Sequence, residues 1–541
     1  MTSRRIAALE EDDQGPEPCM HHESPFADRL NTNYIPSDSE IVEIRTLLAD
    51  PVDELARVEA RIEELEIALS QLKELRASLK TPIDAHRALI SPMRCIPQDV
   101  LLAIFSSCLP SEHNALIDPA EAPLVLGRIC RHWRDVAYST PILWSSIHIP
   151  CLGYLHVPPN MISGLERTVE TWLERSSACP LSVSFFDVNN SPLIGVEKNP
   201  LILRLLPISR RLGHLTLFGA PEFLRPILRL GSENLPALKS ISIQTVGNQL
   251  FGDDPDQLDS TNALQIPTLE DVTLQISSNV DPLALPLKWS RLTRIRLECS
   301  PMRRNAAGGL DIGGAFEVLR RCPNLVHCEI RVTARTAEGP TLDTSPIILP
   351  HLRTLVLSGI DYQFQSWMTH LVVPKLRALR LGDVATKGPA IGSSAPQDGC
   401  MSADIDTGRF TSSGLHELLQ SFPTISHLRL SSTNIQHQLL PDDAFIDLLH
   451  NLCPIMTNIT LLLASSVGLS DAAVLAFVKA RMALPTPLQQ FWARFGRARE
   501  LDIMLEVQSF ILDGLEVTLE YPGLPQWKFR PQEGLDALRT S

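Results

Sequence analysis

Between residues 181 and 519 the apolar positions recur in one short form: an apolar residue, then two more three and five places later, the last two on the same side of an extended chain. The form occurs at Leu212/Leu215/Leu217, Leu238/Ile241/Ile243, Leu269/Val272/Leu274, Leu292/Ile295/Leu297 and Leu325/Cys328/Ile330. It returns at Leu352/Leu355/Leu357, Leu376/Leu379/Leu381, Ile425/Leu428/Leu430 and Met456/Ile459/Leu461. Starts lie 23 to 33 residues apart, save one gap of 49 that holds a Gly-, Ser- and Pro-rich stretch from Lys387 to Phe410. Helically spaced runs intervene, as in Leu415/Leu418/Leu419 and Phe445/Leu448/Leu449/Leu452, so the sheet is expected to be largely parallel. Leu181/Val183/Phe185 form a strand ahead of the series, behind a helix that aligns Ile162, Leu165, Val169, Trp172 and Leu173. Two alternating runs, Leu501/Ile503/Leu505 and Leu515/Val517/Leu519, are expected to cap its far end.

The N-terminal pattern differs. Leu55, Val58, Ile62, Leu65, Leu69, Leu72 and Leu79 alternate three and four apart, with Arg76 at one seam position. This is the stripe of a coiled coil or of a single amphipathic helix laid on the next domain. A parallel self-pairing would hold one attractive pair, Arg61 with Glu66, and one repulsive pair, Glu54 with Glu59, so charge does not specify it. Thr81-Pro82 is predicted to end the helix. Residues 1–38 carry the run Glu10-Glu11-Asp12-Asp13 and no apolar period, which predicts a disordered tail, and 521–541 reads as a flexible one.

Two blocks follow the heptads. Leu101, Ile104, Phe105 and Cys108 fall at helical spacing behind Ile96-Pro97, and Pro110 marks the stop. After a polar connector, Ser111 to Ala122, a run from Pro123 aligns Leu126, Ile129, Cys130, Trp133 and Ala137 as one helical stripe. Arg128, Arg131 and Arg134 would share the opposite face. Thr140-Pro141 reads as the cap and first position of a third helix that buries Ile142, Leu143 and Trp144.

Composition narrows the functions open to the chain. Its 541 residues are 44% hydrophobic, enough for a large core, and its formal charge of −14 argues against nucleic-acid binding, which needs clustered cations. Eleven cysteines include no C-x-x-C pair, so no structural metal site is expected. Cys19, His21 and His22 lack a fixed fourth donor and are assigned no role. The acidic stretch Gly247 to Thr261 lacks the ligand order of a calcium loop, and the glycine pairs between Ser300 and Gly314 lack phosphate-cradle spacing. With no H-E-x-x-H, G-x-S-x-G or P-loop motif, neither catalysis nor a cofactor is expected. The first residues lack an apolar signal core and no stretch reaches membrane-spanning length, so a cytoplasmic or nuclear protein, not a secreted or membrane one, is expected.

Ile96-Pro97, Leu101, Ile104-Phe105, Leu109-Pro110, Cys130-Arg131-His132-Trp133-Arg134 and Ser139-Thr140-Pro141-x-Leu143-Trp144-Ser145-Ser146 together resemble the F-box, in the form found in fungi. The connector is longer than that family's usual loop. The nine-fold apolar form resembles the leucine-rich repeat, although Ala220, Ser277, Ser300, Thr333 and Ile360 stand where an Asn or Cys ladder is usual. These resemblances imply an α/β chain: tail 1–38, helix or coiled coil 39–81, three-helix F-box 86–150, irregular leucine-rich-repeat solenoid 160–520 and tail 521–541. They imply a substrate-recognition subunit of a Skp-cullin-F-box ubiquitin ligase, with the F-box on a Skp-family adaptor and the repeats on an unknown protein. The adaptor contact would fall on Ile96, Pro97, Val100, Leu101, Ile104, Phe105, Leu109, Leu126, Cys130, Trp133, Val136, Leu143 and Trp144. A non-catalytic scaffold that assembles partners without degradation is the alternative.

Overall fold

The computed structural model describes residues 24–90, 92–94, 96–150, 159–186, 200–219, 221–245, 261–277, 281–300, 310–332, 345–359, 370–382, 401–432, 442–462 and 468–522. Cys19, His21, His22, the acidic stretch around Asp253, the glycine pair at 308–309 and the tail beyond 522 lie outside them. The chain divides into two compact units, 1–97 and 98–541.

The first unit is dominated by helix α1, Asp38–Leu89. Its 52 residues extend about 78 Å. Ser37 caps it: the Ser37 amide donates to Glu40 Oε2 (2.8 Å), while Glu40 also accepts from Arg29 (2.7 Å) and from the Tyr34 hydroxyl (3.0 Å). The Ser37 amide and hydroxyl, with Tyr34, hold the Glu40 carboxyl down at about 2. Residues just before the helix are thus tied to its start by polar pairs, which an apolar period does not register. The expected stop at Pro82 is overturned, since α1 runs through both Pro51 and Pro82. Each proline removes one amide and orphans the carbonyl four residues earlier, but α1 is exposed around Leu47, Pro51, Ser78 and Pro82, and water can satisfy those groups. Near Pro82, Thr81 Oγ1 donates to the Ala77 carbonyl (3.0 Å) and His86 Nδ1 contacts the Pro82 carbonyl (2.6 Å). Among the described residues no single helix is long and apolar enough to cross a membrane.

The second unit begins with α2 (Gln98–Ser107), α3 (Leu126–Ile129) and α4 (Arg131–Tyr138). The single helix expected from Pro123 is in fact two. Cys130 is extended (φ −155°, ψ 172°) and its sulfur accepts from the Trp133 amide (3.4 Å), capping α4. Gly127 allows the break to be compact, for a Cβ there would lie 2.7 Å from the Tyr138 ring. Phe105 and Trp133 join α2 to α4 edge to face, ring centroids 4.9 Å apart. Pro141–Trp144 forms a 3-10 turn, but Thr140 does not cap it; its hydroxyl donates to the Val136 carbonyl of α4 (2.6 Å).

Next comes β1 (Ser146–Pro150), the edge strand of a 14-stranded parallel sheet among the described residues. Helix α5 (Pro159–Arg175) and strand β2 (Leu181–Phe186) follow. Every later strand lies beside its predecessor in the sheet, so the order never reverses from Ser146–Pro150 to Glu516–Glu520. A short separate pair joins Ile347–Ile348 to Leu371–Val372.

The nine apolar triplets occupy equivalent places in this sheet. One register row runs Val183, Leu215, Ile241, Val272, Ile295, Cys328, Leu355, Leu379, Ala403, Leu428, Ile459, Phe491, Val517. All nine triplets are buried, so one side of the sheet is a continuous apolar core. At the strand entrances backbone amides form a second ladder, Lys239 to Gly213, Glu270 to Lys239, Thr293 to Glu270, Val326 to Thr293 and Arg353 to Val326, all within 2.9 Å. Where a ladder of Asn side chains was missed in the sequence, individual residues reach back to the preceding turn. Asn262 donates to the Arg229 carbonyl (3.0 Å), Arg321 to Leu283 (2.8 Å) and Asn324 to Ser290 (2.8 Å).

Three expectations change here. The Lys387 to Phe410 stretch contains a sheet strand, Met401–Asp406, with Ala403 and Ile405 fully buried. Leu501/Ile503/Leu505 is not a strand: Ile503–Glu506 is helical, with Ile503 and Val507 buried four apart while Leu505 is exposed. Its place is taken by Gln490–Arg494. Finally, the boundary expected near Pro150 falls inside the sheet, because β1 pairs with β2 in register from Ser146/Ser182 to Pro150/Phe186.

Candidate partner-binding surfaces

The α2–α4 segment owes its shape to a small aromatic core. The Trp144 indole donates to the Ala137 carbonyl (2.8 Å) and packs edge to face on Tyr138 and Trp172. Arg175 covers both Tyr138 and Trp144, 4.0 and 4.5 Å from the ring centres. The long connector is anchored too. Asn114 Oδ1 accepts from the hydroxyls of Ser146 (2.9 Å) and Ser182 (2.7 Å), and the Ala115 carbonyl accepts from the His148 amide (2.8 Å). Its polar residues, which gave no periodic signal, cover the end of β1 and line a cleft of about 510 Å³ with His148, Ser184 and Thr216.

Of the residues expected to contact an adaptor, Leu101, Phe105, Leu126, Trp133, Val136, Leu143 and Trp144 are buried within this chain alone and hold its core. Val100 and Pro97 are exposed, while Ile96, Ile104, Leu109 and Cys130 are half-buried. On α2 the buried pair Leu101/Phe105 leaves Val100, Ala103 and Ile104 together on a second apolar face that meets solvent. Two exposed residues join the inventory: Ile129 and Ile142, both 54% exposed. The extended Cys130 turns Ile129 outward, so the pattern that put it on a buried stripe could not reveal it. The same break interrupts the Arg128/Arg131/Arg134 row; Arg134 Nε is spent on the Gly127 carbonyl (2.7 Å).

The polar side of the sheet is a second surface. At its start the row is uncharged, His148, Ser184, Thr216, Ser242, Thr273. It then becomes a lattice of opposite charges: Arg296 lies 3.4 Å from Glu329, Arg331 3.7 Å from Glu298, and Arg294 3.7 Å from Asp271. Farther on, Asp404 sits between Arg380 (3.5 Å) and the buried Arg429 (3.9 Å). Burial pushes the Asp404 carboxyl up to about 6, against the pull of Arg429 and Arg380, and Asp406 adds to the rise. These side chains alternate with the buried core positions, so a period of two marked their face but not their pairing.

A model of the F-box-like family matches residues 93–150, the stretch that spans α2, the connector, α3, α4 and β1. No curated protein matches the chain. The match makes this stretch an F-box-like domain, and it points to an adaptor subunit of a ubiquitin ligase. F-box domains in general bind Skp-type adaptors.

Proposed function

We propose that the chain is the substrate-recognition subunit of a Skp-cullin-F-box ubiquitin ligase, and that its sheet is an irregular leucine-rich-repeat solenoid whose polar side takes the target protein. The observation that carries the reading is the F-box-like match over 93–150 together with apolar surface left uncovered there, at Val100, Ala103, Ile129 and Ile142. Exposed apolar groups on a segment whose aromatic core is complete favour a partner. The consecutive parallel strands, each stacked on the last, support the solenoid reading.

In this reading the chain supplies no catalytic group, and transfer of ubiquitin occurs on other subunits. Its contribution is proximity: a target held on the same assembly as a charged transfer enzyme meets it at a high effective concentration. The expected compartment is the cytoplasm or the nucleus.

The test is affinity purification of the full chain from its own cells. Co-purification of both a Skp-family adaptor and a cullin supports the reading. An adaptor without a cullin leaves a non-catalytic scaffold, and loss of neither partner on mutating Val100 and Ile142 to Asp removes this surface from consideration.

A further inference from the structure

Helix α1 carries an apolar seam longer than the heptad stripe recognised in the sequence. Leu48 precedes it and Ile83 extends it in phase, so that Leu48, Leu55, Val58, Ile62, Leu65, Leu69, Leu72, Leu79 and Ile83 all lie on one line. Each is about half exposed, from 47% for Val58 to 64% for Leu72. The charges beside this seam are sorted along the helix. On the flank following the Val58/Leu65/Leu72/Leu79 positions stand Glu59 and Glu66 in the first half, then Lys73 and Lys80 in the second. None of the four forms an ion pair among the described residues, whereas Arg57 and Arg61 are paired within the helix to Glu54 and Glu64.

We infer that α1 pairs with α1 of a second copy of this chain, antiparallel, in one register. Two antiparallel helices in knobs-into-holes contact set each position of the first seam row against the second row of the other helix. With Leu69 opposite Leu72 of the other copy, Ile62 meets Leu79, Val58 meets Ile83, Leu55 meets His86 and Leu65 meets Arg76. In that alignment Glu66 faces Lys73 and Glu59 faces Lys80, each twice by symmetry, with an axial offset of about 3 Å. The other flank sets Ala68 against Leu75 and Arg61 against Pro82, with no like charges opposed.

The competing arrangements conflict with the same residues. Sliding one helix by a heptad in one direction places Glu66 on its own copy, and in the other direction places Lys73 on its own copy. A parallel pair opposes Glu54 to Glu59, offsets this with the single pair Arg61 and Glu66, and leaves Lys73 and Lys80 beside Ala68 and Leu75. The overlap chosen by charge also ends where the helix changes character, since Pro51 stands one step beyond Leu55 in the seam. The two C-terminal ends of the paired helices then lie about 55 Å apart, so each copy continues from the opposite end of the rod.

The experiment is sedimentation equilibrium of the full chain at low salt. The native chain is expected to be a dimer. The variants Glu59→Lys/Glu66→Lys and Lys73→Glu/Lys80→Glu should each dimerise at least about tenfold more weakly, since four attractive pairs become repulsive, and an equimolar mixture should recover a mixed dimer. Recovery in the mixture also shows that neither variant has simply unfolded. A Lys73→Glu/Lys80→Glu variant that dimerises as tightly as the native chain would establish a parallel pair and overturn the proposal. A native chain that stays monomeric at tens of micromolar would do so as well, leaving the seam to a different protein.

Discussion

Trp144 and Trp172 pack edge to face with ring centroids 4.8 Å apart. The first lies in the F-box-like domain and the second on α5, whose indole also donates to the Ser146 carbonyl (3.1 Å). Together with β1 this contact fuses the domain to the sheet. A fragment ending at Pro150 would therefore expose Trp144, Ile147, Ile149 and a free strand edge. It is expected to aggregate, whereas a chain with only residues 1–37 removed should stay soluble. In the full chain Trp172→Ala should lower unfolding free energy by about 3–5 kcal/mol, read by urea denaturation.

Contact and core separate within the F-box-like domain. Trp133→Ala removes the partner of Phe105 and should cost about 3–5 kcal/mol of stability. Val100→Asp, on the exposed face of α2, should leave the unfolding free energy read by urea within about 0.5 kcal/mol of native yet weaken capture of a Skp-family adaptor. Equal loss of stability in both variants would mean that Val100 belongs to the core.

Asp404 gives the sheet a pH-dependent weak point. Its folded carboxyl, pushed up to about 6 by burial, takes a proton more readily than the unfolded one. The stability it contributes is full below the unfolded value near 4 and is lost as pH rises through about 6, a change on the order of 3 kcal/mol. Asp404→Asn stays neutral throughout. The native chain should thus lose stability relative to this variant between about pH 4 and pH 7, measured by thermal unfolding across that range.

Arg481 is wholly buried and donates to the carbonyls of Cys453 (3.0 Å), Pro454 (3.4 Å) and Met456. It fixes the turn that precedes Asn458–Leu462 from the helix that follows that strand. Arg481→Met fills similar volume but leaves those acceptors in the interior without their donor. A loss of about 3–5 kcal/mol is expected by denaturant unfolding, with Arg481→Lys intermediate.

Most of the sheet could be read in advance because each triplet repeats the same local demand, two apolar side chains on one side of an extended segment and a buried apolar residue three places ahead of them. Where that demand is met with small or crowded residues the signal fades. Met401–Asp406 uses Ala403 at a Leu position, and in Gln490–Arg494 the run Phe491-Trp492-Ala493 does not alternate. Leu501 to Leu505 alternates in sequence yet coils in space, because Asp471 accepts from the amides of Glu500 and Leu501 and bends the chain there. At the F-box-like surface the apolar content was legible and its direction was not. Cys130 adopts an extended conformation in the middle of a helical spacing, and that one residue decides that Ile129 faces out while Trp133 faces in.

The unreversed order of strands also bears on how the chain is made. Parallel sheets are slow to form when their pairings join distant residues, because the loop must close before any bond rewards it. Here each strand meets one that left the ribosome only a few tens of residues earlier, so no closure waits for the C-terminus. β1, the edge that carries Trp144 beside it, is also the first to emerge. The sheet can grow from that edge during synthesis, with every new strand finding its template already in place.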